Sequence, residues 1–396
     1  MRGLSIVYVG TLPPHPGGSA VSGSQILIGL ARRGHTVRAL APIAEEAAST
    51  GDSFAAAHPE ISVTRFLVPY YETAPNTPSP DDYRRREATG IRSKLDRLIR
   101  AQRPDIILVG RESFASHVLH VARAHAIPCV VRMAGSTTLG IVSGTYAGAR
   151  AERLLEQLRT ADLLVTPAHH LANSVRALGL ERVRTISNAI DLQIFAPKPR
   201  DERLRRGLNI SPDDLVLMHA SNLKAIKRPQ DIVRSAAVTL PGDPRLTYVI
   251  VGDGDWRQAL EEACRDATVA HRFRFTGWIE YARMADYINL ADVVIMPSEF
   301  EAQARVYLEA QACARLLLAS DVPGAREVIV DGVTGLLFRA GDIEDLAAQT
   351  LRVAGDPTLR AEIGRAARIS VEAHAIDAAV AAYETALRDV VRQRVI

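Results

Sequence analysis

Several kinds of protein are excluded by what this sequence has little of. Cysteine occurs only three times in 396 residues, as Cys129, Cys264 and Cys313. The three are widely spaced and odd in number, so they support neither a disulfide framework nor a zinc site. Cys129 and Cys313 fall in apolar runs, the usual setting of a small buried thiol. Charge of one sign is also missing. With 48 basic and 45 acidic residues the formal net charge is +3, which gives no electrostatic footprint for nucleic acid. The basic triplet Arg84-Arg85-Arg86 reads as a solvated helix face. No apolar run approaches the ~20 residues needed to cross a bilayer. The apolar stretch near the start, Leu4 to Val9, is too short for a signal peptide and reads as a strand. A reduced, cytoplasmic setting is the expectation, and peripheral membrane contact is not favoured.

What is present is a globular composition, 47% hydrophobic and 23% charged, at a length that fits two domains. Short apolar runs alternate with amphipathic stretches. Strands are expected at 4–9, 36–40, 106–109, 129–131 and 163–165, with helices at 24–33, 92–101 and 151–159. The pattern restarts with strands at 215–218, 248–251, 274–276, 293–296 and 316–319, and helices at 230–236, 256–266, 281–289 and 306–314. This alternation predicts an α/β fold of two Rossmann-like domains with parallel sheets covered on both faces. The Pro- and Asn-bearing stretch from Ser187 to Pro199 is the best boundary. The expected division is 1–194, 195–370 and a closing helical segment, 371–396, packing on the first domain. Ligands of such sheets bind beyond the carboxyl ends of the strands, so function is expected in strand-to-helix loops that face a cleft.

The strongest local feature follows the strand at 293–296. In Pro297-Ser298-Glu299-Phe300-Glu301-Ala302-Gln303-Ala304-Arg305-Val306-Tyr307-Leu308-Glu309, two glutamates stand eight apart. They would be separated by about 12 Å if the whole segment were helical. Between them Ala304, Arg305 and Val306 sit at an expected helix start, whose free amides suit an anion. Carboxylates accept hydroxyl hydrogen bonds well. Glu301 can therefore serve a sugar, the amides a diphosphate, and Glu309 a ribose. On spacing alone, two surface glutamates around a core helix would be the better reading, since glutamates eight apart are common.

The segment resembles the Glu-x7-Glu signature of the retaining glycosyltransferases of family 4, which have the GT-B fold. Other stretches resemble that family in order and spacing. Gly17-Gly18-Ser19 is similar to its glycine loop, and Ser187-Asn188-Ala189-Ile190-Asp191 to its interdomain segment. Val251-Gly252-Asp253-Gly254, Phe275-Thr276-Gly277 and Gly335-Leu336-Leu337-Phe338 continue the match to about residue 345. The resemblance implies a nucleotide-sugar donor, UDP favoured over GDP, in the second domain. It implies a small-molecule or glycan acceptor in the first, retention at the anomeric carbon, and no metal or other cofactor. The donor lysine maps to Lys227, where a cation favours departure of the diphosphate. Glu301 and Lys227 are thus the expected catalytic pair. Ile279 is expected at the base, and the loop Gly17, Gly18, Ser19 near phosphate or acceptor.

Three departures stand out. Asn222 replaces the arginine most members carry five residues before the lysine, with Lys224 or Arg228 available to supply charge. The version here is similar to a subset that includes the malate-glycosylating enzymes of bacillithiol synthesis. Ala134 stands where a histidine is expected, leaving Gly135, Ser136 and Thr137 as sugar or acceptor contacts and Arg132 unassigned. Glu301-Ala302-Gln303-Ala304 replaces the family's Glu-Gly-Phe-Gly, so Gln303 either meets a sugar hydroxyl or acetamido group or is solvated. Asp253-Gly254-Asp255 is not expected to hold a metal, and His219 is expected in the core. Two other readings stay open: a sugar-nucleotide epimerase or pseudo-glycosyltransferase on the same fold, and a non-catalytic sugar-nucleotide-binding subunit.

Overall fold

The computed structural model describes residues 2–15, 17–49, 51–69, 80–133, 136–142, 144 and 146–394. Most of the loop 70–82, and with it Ala134 and Gly135, lies outside the described residues. The chain forms two compact units, one of residues 1–188 with 376–396 and one of 189–375.

The first unit holds a seven-stranded sheet: β1 (Ser5–Val9), β2 (Thr36–Ala44), β3 (Ile61–Val68), β4 (Ile106–Val109), β5 (Cys129–Arg132), β6 (Leu163–Thr166) and β7 (Val183–Thr185). The second holds six strands: β8 (Leu215–Ala220), β9 (Leu246–Val251), β10 (Phe273–Gly277), β11 (Val293–Met296), β12 (Leu316–Ser320) and β13 (Leu336–Phe338). The orders are β3-β2-β1-β4-β5-β6-β7 and β10-β9-β8-β11-β12-β13. Every ladder within them is parallel. In each sheet the strand order reverses beside the first strand of the unit, the switch point at which doubly wound sheets open a crevice.

Alternation along the central strands explains the burial. Val216, Met218, Val294, Met296 and Leu317 enter one core cluster. Their neighbours Leu215, Leu217, Val293, Ile295, Leu316 and Leu318 enter the other. Successive side chains point to opposite faces, so a run of aliphatics with no polar break supplies two cores at once.

The strands that escaped the sequence reading are β3, β7 and β13. All three lie at sheet edges. An edge strand needs no continuous apolar run, and β3 (Ile-Ser-Val-Thr-Arg-Phe-Leu-Val) mixes buried and exposed positions. The helix expected at 92–101 begins at Pro80 and runs to Ala101, through the charged positions that break the apolar pattern.

The division of the chain also differs from the sequence reading. The second unit begins at Ala189 and not at 195, because Ile190 pairs with Ala375 and Phe195 is buried in that unit's core. The segment that rejoins the first unit begins at Ile376 and not at 371. In its helix Ile376–Gln393, the residues Val380, Tyr383, Leu387 and Val390 share a core with Ile6, Tyr8, Leu27 and Leu30. The spacing of three and four is one helix face. Gly29 permits the contact: a Cβ there would run into the methyls of Val380.

Candidate active site

The carboxyl ends of β8 and β11, neighbours in the second sheet, carry the residues of interest. After β8 the chain passes through Ser221 and Asn222 to Leu223, which has a φ of 36°. It then makes a short 3-10 turn, Ala225–Lys227, closed by Arg228 with a φ of 46°. Two left-handed non-glycine residues so close together are uncommon and need outside support. His219 supplies some of it. Its Nδ1 donates to the Ile295 carbonyl at 3.0 Å, so Nε2 accepts from the Ser221 hydroxyl at 2.8 Å, and that oxygen accepts the Leu223 amide at 3.1 Å. The loop after β9 packs against the same turn. A Cβ on Gly252 or Gly254 would strike the backbone carbonyls of Ser221 or Asn222, and the Trp256 amide donates to the Leu223 carbonyl at 3.0 Å.

His219 is a core residue, as expected. Burial holds its pKa down at about 4, with the Lys227 charge acting in the same direction. In the unfolded chain the ring takes its proton near pH 6.5, so the unfolded state binds more protons between these values. This contribution to stability is present above pH 6.5 and is lost as pH falls toward 4. The loss amounts to roughly 3 kcal/mol at most. His219→Gln is expected to remove that part of the pH dependence. Urea unfolding of both proteins at pH 7 and pH 4.5 checks it, and equal slopes would refute the assignment.

Lys227 reaches Glu301. Its Nζ donates to Oε1 at 2.7 Å, and the Ser298 hydroxyl donates to the same oxygen at 2.7 Å. Glu301 is only 4% exposed and Ser298 is fully buried. The two loops are tied directly, the Glu299 amide donating to the Ile226 carbonyl at 2.9 Å. A third element crosses beneath them. Gly324 lies so close to Glu301 that a Cβ would stand 2.8 Å from the Glu301 carbonyl carbon and 2.9 Å from the Ala302 oxygen.

The segment 301–304 is not helical, in keeping with the helix start expected at 304–306, so the separation for a continuous helix does not apply. The helix begins at Arg305 and runs to Ala312, with Ala304 extended at its N-cap and no side-chain cap there. The amides at its start therefore lack intrahelical partners, and they follow the Lys227–Glu301 pair directly in the chain. Gln303 and Val306 are buried. Glu309 is 4% exposed and lies one turn beyond Arg305, with the guanidinium Nε 3.6 Å from its Oε1. Burial raises its pKa, opposed by the Arg305 charge and a hydrogen bond from Tyr281. Ile279 is half-buried against the same core.

Other expected residues are placed differently. Arg228 pairs with Asp231, its Nε donating to Oδ2 at 2.6 Å, and the same carboxylate lies 3.6 Å from Arg234. Asn222 presents a buried Oδ1 with no hydrogen-bond partner among the described residues. Asp253 accepts from the Gly254 amide at 2.8 Å.

In the first unit Gly17 is the exposed N-cap, with φ 102°, of the helix Gly18–Arg32. Ser19 Oγ lies 3.2 Å from Thr11 Oγ1. Ser136 and Thr137 open the helix Ser136–Val142, and the Thr138 amide donates to buried Glu112 at 2.8 Å. Arg132 is buried, donating to Tyr383 Oη at 3.0 Å and Ser22 Oγ at 2.8 Å. It thereby joins β5, the first helix and the returning helix. Gly324, Tyr281 and Glu112 carried no signal in the sequence, because each acts through a partner distant in the chain; Ser298 and Ser221 act on near neighbours, but which atom each faces depends on the fold.

Two Rossmann-like parallel sheets in succession define the GT-B class of fold. Residues 16–194 match the family description Glycosyltransferase Family 4, and residues 200–370 match Glycosyl transferases group 1. The chain belongs to the family 4 type of GT-B glycosyltransferases. It is similar to an N-acetyl-α-D-glucosaminyl L-malate synthase of Bacillus anthracis, 29% identical over 59% of this chain and 61% of that protein. It is also similar to a D-inositol 3-phosphate glycosyltransferase of Kribbella flavida, 32% identical over 47% of this chain and 46% of that protein. The chain thus spans about half to three fifths of the length of these relatives. Among solved structures, Anabaena HepE in complex with UDP and glucose shares the fold at a TM-score of 0.78 and 20% identity, covering 97% of this chain and 99% of that one. The sucrose-phosphate synthase of Thermosynechococcus elongatus does so at 0.79 and 19% identity, covering 98% and 99%. Among the described residues no helix is long and apolar enough to cross a membrane.

Proposed function

We propose that the protein is a retaining glycosyltransferase that moves a hexose or N-acetylhexosamine from a nucleoside-diphosphate sugar, UDP favoured over GDP, to a small-molecule or glycan acceptor in the cytoplasm. The observation that carries this reading is the Lys227–Glu301–Ser298 cluster beside an uncapped helix start. A cation and free amides suit a departing diphosphate, and a buried carboxylate suits sugar hydroxyls. The likeness to relatives named for malate and inositol phosphate glycosylation supports it, as does the fold shared with a protein solved with UDP and glucose.

In the proposed reaction the bond between the anomeric carbon and the β-phosphate oxygen breaks. The acceptor oxygen bonds to that carbon on the same face, and its proton passes to the departing phosphate oxygen. Lys227 and the amides at 305 and 306 hold the charge that develops, so no metal and no separate base is required. Glu309 takes the ribose, Ile279 the base, and Gln303 a sugar substituent. The first unit takes the acceptor, through the loop at Gly17, Gly18 and Ser19 and the segment 135–137.

Thermal shift against a panel of UDP- and GDP-sugars tests the donor, since a ligand at 100 times its Kd stabilises by about 2.7 kcal/mol. Incubation with labelled donors and Glu301→Ala tests catalysis. The variant is expected to lose turnover. Absence of both binding and hydrolysis in the wild type would sink the reading, while binding without turnover would favour a non-catalytic subunit.

A further inference from the structure

The side chain of Arg305 has no part in the amide cradle, yet it is built into the structure. It is 11% exposed. One Nη donates to the Ala189 carbonyl at 3.1 Å and the other to the Tyr281 hydroxyl at 2.6 Å. The guanidinium also lies 5.6 Å from the Tyr281 ring centroid, and that ring is held by Phe195 at 5.5 Å. Tyr281 accepts from Arg305 and hydrogen-bonds Glu309 in turn. Three separated pieces of the second unit therefore converge on one carboxylate: the segment at 189–195, the turn Tyr281–Arg283 and the helix Arg305–Ala312. The nearby Cys313 thiol is kept neutral by burial, so it sets no second negative charge beside Glu309, and Arg305 is the cation paired with that carboxylate.

A carboxylate with so little access to water is costly to keep charged without a paired cation, and a protonated acid is a poorer acceptor of hydroxyl hydrogens. We propose that Arg305, acting with Tyr281, is a positioning residue for ribose recognition, holding Glu309 as a fixed carboxylate that accepts from the sugar hydroxyls of the nucleoside. The ion pair is with Oε1, the Tyr281 hydroxyl donates to the same carboxylate, and the proposal assigns the remaining lone pairs of the two oxygens to the ribose hydroxyls. This inference rests on the nucleotide-sugar reading above, and it adds a discrimination that the reading does not require. A residue that only stabilised the domain would affect all nucleotides alike. A residue that orients a ribose-reading carboxylate affects only those that carry the hydroxyls.

The experiment is calorimetric titration of the full chain with UDP and with 2′,3′-dideoxy-UDP, for wild type, Arg305→Met, Arg305→Lys and Tyr281→Phe. GDP and its dideoxy analogue replace them if thermal shift favours guanosine. The wild type is expected to prefer the ribose form by about tenfold or more, the worth of a hydrogen bond to a charged group. Arg305→Met is expected to weaken UDP by a similar factor and to leave the dideoxy Kd within about twofold, abolishing the preference; Arg305→Lys restores part of it. Tyr281→Phe retains the ring packing and is expected to reduce the preference in the same direction, so it decides the matter if Arg305→Met does not fold. Equal weakening of both nucleotides, or a preference that survives in Arg305→Met and Tyr281→Phe, overturns the proposal. A wild type that binds UDP without preferring its ribose form also overturns it while leaving the donor reading intact. A wild type that binds no nucleotide overturns both.

Discussion

Lys227→Ala is expected to lower kcat by about 10²- to 10³-fold, the usual effect of losing one group aimed at developing charge. The reason is positional as well as electrostatic. The lysine sits on a 3-10 turn between two left-handed residues, and its ammonium is held by Glu301 at 2.7 Å. On the proposed reading the charge is in place before any donor arrives, and little reorganisation is needed when the diphosphate departs. Its loss also takes a 2.7 Å donor from Glu301, which is only 4% exposed. Removing one partner of a buried pair costs more than the pair itself contributes. Lys227→Arg is expected to recover little, because a planar fork does not replace a compact point charge. Steady-state kinetics with the best donor and calorimetry with UDP check this. Turnover within threefold of wild type would remove Lys227 from the chemistry.

Gly324→Ala is expected to cost about 1–3 kcal/mol of stability, the range for forcing an extra carbon into a packed interior. It is also expected to lower turnover far more than a surface change would. The added carbon meets main chain, the carbonyl groups of Glu301 and Ala302, which cannot swing aside as a flexible side chain can. The loop that carries Glu301 must move, and a displacement of about 1 Å at a reacting group can cost around a hundredfold in rate. Gly355→Ala, where an added Cβ would meet open space, serves as the control. Urea unfolding and kinetics on both variants decide it: equal stability and activity for the two would show that the loop tolerates the contact.

Much of the framework was legible in the sequence because parallel central strands are written as unbroken aliphatic runs. Ile106–Val109 and Val293–Met296 were read at their full extent for that reason. The edges β3, β7 and β13 were not, since a strand with one free side has no need of such a run. In the site, Glu301, Glu309 and the helix start at Arg305 follow from local order in one segment. Their supports do not. Ser298 is close in sequence to Glu301, but its role depends on which oxygen it faces. His219 reaches Ile295, and Gly324 reaches Glu301, across strands that only the fold makes neighbours. Arg228, which the sequence offers as an extra cation, has a partner three positions on, Asp231, whose contact the sequence alone does not reveal.

The helix Ile376–Gln393 also has a bearing on how the chain assembles. Residues 189–375 are continuous, so their sheet and both its cores are complete once that stretch has been synthesised. The first unit begins earlier but finishes later, because Val380, Tyr383 and Leu387 must come back to cover Ile6, Tyr8 and Leu27. Until then the helix Gly18–Arg32 and the core beneath it lack that cover, a state prone to aggregation. The unit made first on the ribosome is therefore the one that must wait, and the second half of the chain can be folded before the first half is sealed.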